Sequence, residues 1–580
     1  MRSKIYKWHR TFSLIIAIPV LLWASSGFMH PIMTNIRPKI ATQGLPPVAI
    51  DSARIHVPLQ AALRLHHLDS IANFRLVHID TNWFYQVQLP VHRLPNTLGT
   101  DNGSGANGSG IAGLPAAAIP IYLSCTNGNV LPAGDWLYAQ YLARQFLEGP
   151  ATLPVSASHA HQSIASASSG APASIAIAYT APVAHDCCGA ATETVLNPVK
   201  GAKVANVSLL KNYDLEYKSI NKLLPVYRVS FDRPDGIRVY VETTRDRFAF
   251  AMDNRRMVFD RIFTLVHTWA WLEFLGKGKL AVEGGLALMA FLTALMGIYI
   301  FFATKSKKVN GNGLVRARRT HRYTSITIAL FTLMFTFSGA FHAFSKFKED
   351  TRDRFFVAPS FAAADLNFRF SQLQEVVKEP ITDVSIVSIY GRPYWQVTQV
   401  PSSSQGATTP SPEPMAGAAT HTRDLMKDTQ APAPSRVYLQ TDSPYSALPQ
   451  GEMRYAGFLA CTFSGQPATA IRTSDPVLRF TSEYNFADKR LPVWKISYAS
   501  NNNERYYVET STGRLSKLVT DNNRVEEYSF AFLHKHEFMG WGGKTVKDIS
   551  TMFWASAQIV LVIFGLLLYV RYRRRSPPSK

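Results

Sequence analysis

The sequence predicts an α+β membrane protein, in which four transmembrane helices form a duplicated two-helix unit with two external α+β domains inserted. Three observations lead to this prediction: four apolar runs of membrane-spanning length, basic residues gathered on one side of the runs, and the same residues recurring at fixed offsets. Because 17% of the 580 residues are charged, the chain must also contain large parts outside the membrane.

The four apolar runs each have about the 20 residues that a helix needs to cross a bilayer. We place the spans at residues 11–30, 283–303, 323–342 and 551–570. The first run follows a basic start, as the apolar part of a signal peptide does. It ends in Phe28-Met29-His30-Pro31 instead of a small-residue cleavage site, so we expect an uncleaved span.

Basic residues determine the expected orientation, since cytoplasmic loops are enriched in Lys and Arg. They gather in the N-terminus 1–10, the loop 304–322 and the tail 571–580. We therefore expect these three segments in the cytoplasm, and the long segments 31–282 and 343–550 outside it. The net charge of +21 follows in part from this arrangement, so the sequence predicts membrane lipid as a partner and no nucleic acid.

Three histidine positions recur along the chain, and such internal repeats indicate the architecture. The recurring pairs are His9 and His321, His30 and His342, and His267 and His534. The offset is 312 for the first two pairs and 267 for the third. The difference of 45 (312 − 267) indicates that the first copy carries the longer of two insertions, about 96–205 against about 401–480.

Each external segment shows the same order of predicted elements: a short helix, a strand, and a hairpin with a turn rich in Asn, Asp or Gly. We place them at Leu59–His67, Phe84–Leu89, Pro225–Phe231 and Arg238–Thr243, and again at Phe370–Val377, Tyr394–Val400, Pro492–Tyr498 and Arg505–Thr510. The insertions are rich in Gly, Ser, Ala and Pro. Their stretches 102–110 and 401–414 are typical of flexible linkers.

Histidines at the ends of the spans are the main functional signal. His9 and His30 are 21 residues apart, and so are His321 and His342. A helix rises roughly 31 Å over that length, which puts one imidazole near each membrane face in both copies. Ionisable side chains in spans are costly and usually functional. Anchoring at the headgroups explains a single such histidine, but it does not require the same spacing twice.

Facing imidazoles in a helix bundle are a usual way to hold haem iron. The candidate ligands are His9, His30, His267, His321, His342 and His534, with His536 as a substitute for His534. They predict two haem b groups, or three. His9 and His321 are expected at the cytoplasmic face. At the external face two pairings stay open: His30 with His342, or His30 with His267 and His342 with His534.

Four cysteines, Cys125, Cys187, Cys188 and Cys461, all fall in the external segments, where disulfides are permitted. No CxxC or CxxCH motif is present, which argues against covalent c-type haem and a zinc ribbon. The sequence is compatible both with a bridge from Cys125 to one of the adjacent pair and with free thiols.

Several strings resemble the PepSY-associated transmembrane family of bacterial iron-regulated membrane proteins. They are YKWHRTFSLIIAIPVLLWASSGFMH with RRTHRYTSITIALFTLMFTFSGAFH, FTLVHTWAWLEFLGKG with FAFLHKHEFMGWGGK, and YRVSFDRPDGIRVYVETTRDR with WKISYASNNNERYYVETSTGR. The last two look like the second half of PepSY domains. The resemblance covers about 1–92, 206–400 and 481–575. It implies two external PepSY-like domains, haem on the six histidines, and the bacterial inner membrane.

The function that this resemblance implies is that of a ferric-siderophore reductase, which passes electrons through haem to a periplasmic ferric chelate in iron acquisition. Because the short cytoplasmic parts hold no nucleotide-binding motif, the expected electron donor is a quinol or another protein. The alternative is a non-enzymatic PepSY protein that binds a peptide, a cell-wall component or a partner and regulates a protease. A metal transporter is disfavoured, since the spans contain almost no Asp or Glu.

Overall fold

A computed structural model describes residues 2–90, 119–149, 202–306, 308–309, 312–348, 356–357, 359–400, 435–442, 444–500 and 502–575. The helices are α1 Arg2–Asn35, α2 Leu59–Leu65, α3 Gly134–Glu148, α4 Asn254–Val266, α5 Lys277–Ala303, α6 Gly313–Ser345, α7 Phe370–Val376, α8 Gly451–Ser464, α9 Asp521–Ser529 and α10 Gly543–Arg575. The chain is thus mixed α+β, and we call the part up to α5 the first half and the part from α6 the second half.

Short strands make up the rest of the regular structure. They are β1 Ser70–Ile71, β2 Asn73–Ile79, β3 Asn82–Gln88, β4 Ile121–Ser124, β5 Val204–Leu210, β6 Val226–Phe231, β7 Arg238–Glu242, β8 Arg247–Met252, β9 Phe361–Ala362, β10 Ile381–Ile389, β11 Arg392–Gln399, β12 Arg436–Gln440, β13 Ile471–Val477, β14 Val493–Tyr498, β15 Arg505–Glu509 and β16 Arg514–Val519.

The helices α1, α5, α6 and α10 contain the four predicted spans and are long and apolar enough to cross a membrane. α1 packs against α5 and α10, and α6 packs against the same two helices. α1 and α6 therefore lie at opposite corners of a four-helix bundle. Large apolar side chains on its outside, such as Ile18, Phe302 and Leu330, are exposed, as expected of a surface that lipid covers.

Each half has a three-stranded sheet and a four-stranded sheet, both antiparallel. Their strand orders are β2-β3-β4 and β5-β6-β7-β8 in the first half, and β10-β11-β12 and β13-β14-β15-β16 in the second. In the first half α3 packs between the two sheets through Tyr138, Leu142 and Phe146, which recur at helical spacing. α8 has the same place in the second half.

The predicted short helices and hairpins are confirmed as α2, α7 and the strand pairs β6–β7 and β14–β15. The structure differs from the sequence analysis inside the two insertions, where β4, α3, β12, α8 and β13 are folded. These short amphipathic elements were not predicted, because they lie among linkers rich in Gly, Ser, Ala and Pro. The stretches 102–110 and 401–414 lie outside the described residues.

The predicted disulfide partners Cys187 and Cys188 also lie outside the described residues. Cys125 is buried at the end of the three-stranded sheet and forms no disulfide with another described residue. The disulfide therefore stays a prediction.

The three-stranded sheets of the two halves share one core. Phe74 of β2 packs edge-to-face on Phe368 and on Trp395 of β11, with ring centres 5.0 and 6.0 Å away. Next to this contact, β1 pairs with β9. Residues of both halves are thus needed to close the core.

The four-stranded sheets meet through a buried ion cluster. Glu509 is 0% exposed and accepts hydrogen bonds from Arg247 and, at 2.8 Å, from Arg490. Glu242 accepts one from Arg247 at 3.1 Å and lies 3.5 Å from Arg490. Each carboxylate therefore contacts one guanidinium from each half, which ties the halves together.

Candidate functional site

A cavity of about 2860 Å³ lies between the helix bundle and the four-stranded sheets. His30, His267, His342 and His534 all line it. These are the four histidines that the sequence assigns to the external face, and the fold brings them to one space. The cavity is larger than the roughly 300–1,000 Å³ of ordinary small-molecule sites, so it has room for more than one ligand.

Two short helical segments carry His267 and His534 to the middle of the bundle. His267 caps the C-terminus of α4, a helix that begins where the Asp253 side chain accepts the Arg256 N–H at 2.7 Å. His534 ends a π-helical turn, Phe530–His534, that follows α9. The two ring centres are 6.3 Å apart. Burial lowers the pKa of His267 to about 4, so this ring is neutral at pH 7.

Serine hydroxyls on opposite corners of the bundle hold these two rings. Ser26 Oγ of α1 lies 2.9 Å from His267 Nδ1, and Ser338 Oγ of α6 lies 3.1 Å from His534 Nδ1. Each hydroxyl also donates to the carbonyl four residues back in its helix, at 2.8 Å in both cases. A hydroxyl that donates its single proton to the helix carbonyl can accept from the histidine Nδ1–H. In that tautomer Nε2 carries the free lone pair.

A phenylalanine ring contacts both external histidines of each half. Phe263 packs against His30 and His267, with ring centres at 5.3 and 4.6 Å. Phe530 packs against His342 and His534, at 4.3 and 4.7 Å. Across the halves, His267 and His534 contact each other directly, with ring centres 6.3 Å apart, so the geometry favours these two as a pair.

His536 lies beside this cluster but in another environment. It is 0% exposed, and its Nδ1 is 3.1 Å from Ser550 Oγ. Its ring packs on Phe335 and Phe538, with ring centres at 5.0 and 5.2 Å. The cavity lining includes His534 and not His536, so the geometry favours His534 of these two.

His9 and His321 lie at the other end of the bundle, each against a glycine of a neighbouring helix. A Cβ on Gly297 of α5 would come 3.2 Å from His9 Nε2, and a Cβ on Gly565 of α10 would come 3.4 Å from His321 Cε1. The glycines thus let both imidazoles pack closely against the neighbouring helices. His321 Nδ1 is buried and accepts or donates no hydrogen bond within the described part of the chain.

Sequence reasoning found the histidines but missed the residues that orient them. Ser26 and Ser338 stand in the recurring Ser-Gly strings, and Phe263 and Phe530 stand four residues before the third histidine of each half. Their recurrence at the same offsets as the histidines was the available signal. Within the described residues, no cluster of three or more His, Cys, Asp or Glu side chains is arranged to bind a bare metal ion.

Comparisons with known proteins were made for the whole chain. No family model matches it, and no curated protein sequence matches it significantly.

Proposed function

We propose that this chain is an inner-membrane haem protein that passes single electrons to a ferric chelate, such as a ferric siderophore, on the external side. The observation that carries the proposal is the pair of imidazoles, His267 and His534, which line one cavity with ring centres 6.3 Å apart, each with its Nδ1 beside a serine hydroxyl. We further propose that the chain is a duplicated unit with two PepSY-like external regions, since both halves have the same strand orders.

The residues present fit haem b at two levels of the bundle. At the end away from the sheets, Gly297 and Gly565 let His9 and His321 pack closely against α5 and α10, and one buried ring nitrogen there lacks a hydrogen-bond partner among the described residues. At the other end, two neutral imidazoles have ring centres 6.3 Å apart. That separation would allow both side chains to hold the iron of one haem.

We therefore propose that His267 and His534 would hold a haem on the external side, and that His9 and His321 would hold one on the cytoplasmic side. His30 and His342 lie against Phe263 and Phe530 next to the external pair, and are the ligands available to a third group. When bound, haem supplies a one-electron relay between donor and ferric iron. The electron donor is a quinol or another protein.

The protein's own groups orient the ligands and control access. Serine hydroxyls that accept from Nδ1–H fix each ring and raise its basicity at Nε2. The cavity gives a hydrophilic ferric complex a space next to the external pair. Reduction favours iron release, because hard oxygen ligands hold Fe(III) better than Fe(II).

The basic residues support the proposed orientation in the membrane. Lys4 and Lys7 in α1, Lys305 after α5 and Arg571 in α10 lie at the end of the bundle opposite the sheets. The positive-inside tendency supports a cytoplasmic position for that end, which leaves both sheets of each half in the periplasm.

An absorption spectrum of the detergent-purified full chain, oxidised and dithionite-reduced, tests the proposal. We expect sharp reduced b-type bands, with at least two haems per chain by pyridine haemochrome. A featureless spectrum from cells supplied with haem would refute the proposal, and would leave a non-enzymatic PepSY binding protein as the better hypothesis.

Replacing the supporting serines gives a finer test. Ser26→Ala or Ser338→Ala removes the acceptor for Nδ1–H, and such losses next to a metal ligand typically weaken binding by about 10–100-fold. We expect the variants to lose haem on dilution and to have a shifted midpoint potential. Ser345→Ala is the matched control, because Ser345 Oγ lines the same cavity and donates only to Phe341 O, at 2.8 Å. Equal haem retention in all three variants would contradict the role of the serines.

A further inference from the structure

Two cations in the cavity wall differ from the other charged residues around them. Lys489 Nζ donates to the Ala249 carbonyl at 2.8 Å, and Arg514 Nη1 donates to the Leu224 carbonyl at 3.5 Å. Both side chains are half-buried and line the cavity. Across the described residues, neither has a carboxylate oxygen within salt-bridge distance.

The corresponding residues of the first half are paired. Lys222 stands 267 positions before Lys489 and forms a 2.5 Å ion pair with Asp488. Arg247 stands 267 positions before Arg514 and contacts Glu242 at 3.1 Å as well as Glu509. The same two positions thus form close ion pairs in the first half, whereas in the second half Glu242 acts on Arg514 only from beyond ion-pair distance and Lys489 has no close carboxylate among the described residues. The second-half wall of the cavity is therefore the more positive one.

Three acidic residues of the cavity wall are engaged with other groups. Asp260 pairs with Lys218 at 2.5 Å, and Glu527 pairs with Lys517 at 2.8 Å. Glu526 contacts His342.

Neighbouring cations further disfavour the protonated, charged forms of Lys489 and Arg514. Burial and the nearby Arg256 lower the pKa of Lys489 to about 8, and burial and the nearby Arg490 lower the pKa of Arg514 to about 10. Arg490 itself is committed to Glu509 and Glu242. An anion between the side chains and the cavity would relieve the repulsion, because an opposite charge favours the protonated form of both.

We propose that Lys489 and Arg514 are an anion-docking site that selects ferric chelates of net negative charge, such as those with carboxylate or phenolate ligands. This inference rests on the proposed function for the identity of the chelate. Lysine and arginine bind carboxylate oxygens through charge-assisted hydrogen bonds. The propionates of haem are carboxylates too, and could bind the same two cations. The test must therefore distinguish haem propionates from an anionic chelate.

The experiment measures binding of gallium(III) citrate, an anionic and redox-inert probe, to the detergent-solubilised full chain by isothermal titration calorimetry, with haem content determined for each sample. The cationic gallium(III) complex of desferrioxamine B is the charge control. We expect the anionic probe to bind more tightly than the cationic one, and K489Q/R514Q to weaken its binding about tenfold or more, as loss of two hydrogen bonds to charged groups implies.

Two further variants control for folding and for general charge. The charge-conserving K489R/R514K variant is expected to bind within about threefold of the parent, since both cations remain. K547Q removes another cavity lysine, which pairs with the exposed Glu537 at 2.7 Å, and is expected to leave binding unchanged.

Three results would overturn the docking site. The first is that K489Q/R514Q binds gallium citrate as tightly as the parent chain. The second is that the parent chain binds the cationic complex with equal affinity. The third is that K489Q/R514Q loses haem but binds the probe normally, which would assign the two cations to the haem propionates. Charge-selective binding by a chain that never reduces ferric citrate would instead refute the proposed electron transfer and support the docking site.

Discussion

His534→Ala is expected to abolish the external haem while leaving the cytoplasmic one in place. The substitution removes one of the two histidines proposed to hold this haem, and the effect should exceed the roughly 10–100-fold loss of affinity seen when only an outer contact is removed. Pyridine haemochrome analysis of the purified chain should show a lower haem content, and the reduced b-type band should lose one component. Electron transfer to an external ferric chelate should fall to background.

His536→Ala is the control for this prediction. It removes an imidazole two residues away that is fully buried against Phe335 and Phe538 and does not line the cavity. Its haem content should match that of the parent chain. The opposite pattern, with haem lost from the His536 variant and kept by the His534 variant, would move the ligand to the position that the sequence offered as a substitute.

Glu509→Gln is expected to lower the free energy of unfolding of the external region by about 3–5 kcal/mol, the usual cost of removing one partner from a buried ion pair. Glu509 is 0% exposed and contacts Arg247 and Arg490, one from each half. The neutral amide leaves two buried guanidiniums to share Glu242. Denaturant titration of the solubilised chain, followed by tryptophan fluorescence, measures the change.

The exposed pair Arg54–Asp51 provides the comparison for that experiment. Its side chains are 54% and 52% exposed at a separation of 3.6 Å, so Arg54→Ala should cost no more than about 1 kcal/mol. Equal destabilisation by the two substitutions would show that the cluster at the junction of the sheets is not a stabilising contact.

The sequence predicts those parts of the molecule that depend on local composition. Span positions follow from apolar length, and hairpins such as β6–β7 follow from alternation and turn residues. α3 and α8 were missed, because each has only about four turns of amphipathic pattern and lies among linker-like residues. Their folding depends on the two sheets that enclose them.

The candidate site was likewise only partly predictable from the sequence. The recurrence of histidines identified its members, but their distances depend on how α4 and α9 turn back onto the bundle. Nothing local to His267 indicates that its ring meets His534 across the boundary of the halves, 6.3 Å away. The roles of Ser26 and Phe263 likewise became visible only when their contacts were known.

The shared core of the three-stranded sheets constrains the order of biogenesis. In the proposed topology Phe74 reaches the periplasm with the first external segment, whereas its partners Phe368 and Trp395 follow only after α5 and α6 have been inserted and the second segment exported. The first segment must therefore wait, incompletely folded, through two insertion events. During that interval β1 and the sheet around Phe74 offer unpaired edges and apolar surface, so periplasmic chaperones and proteases have access to a nascent form that the finished protein conceals.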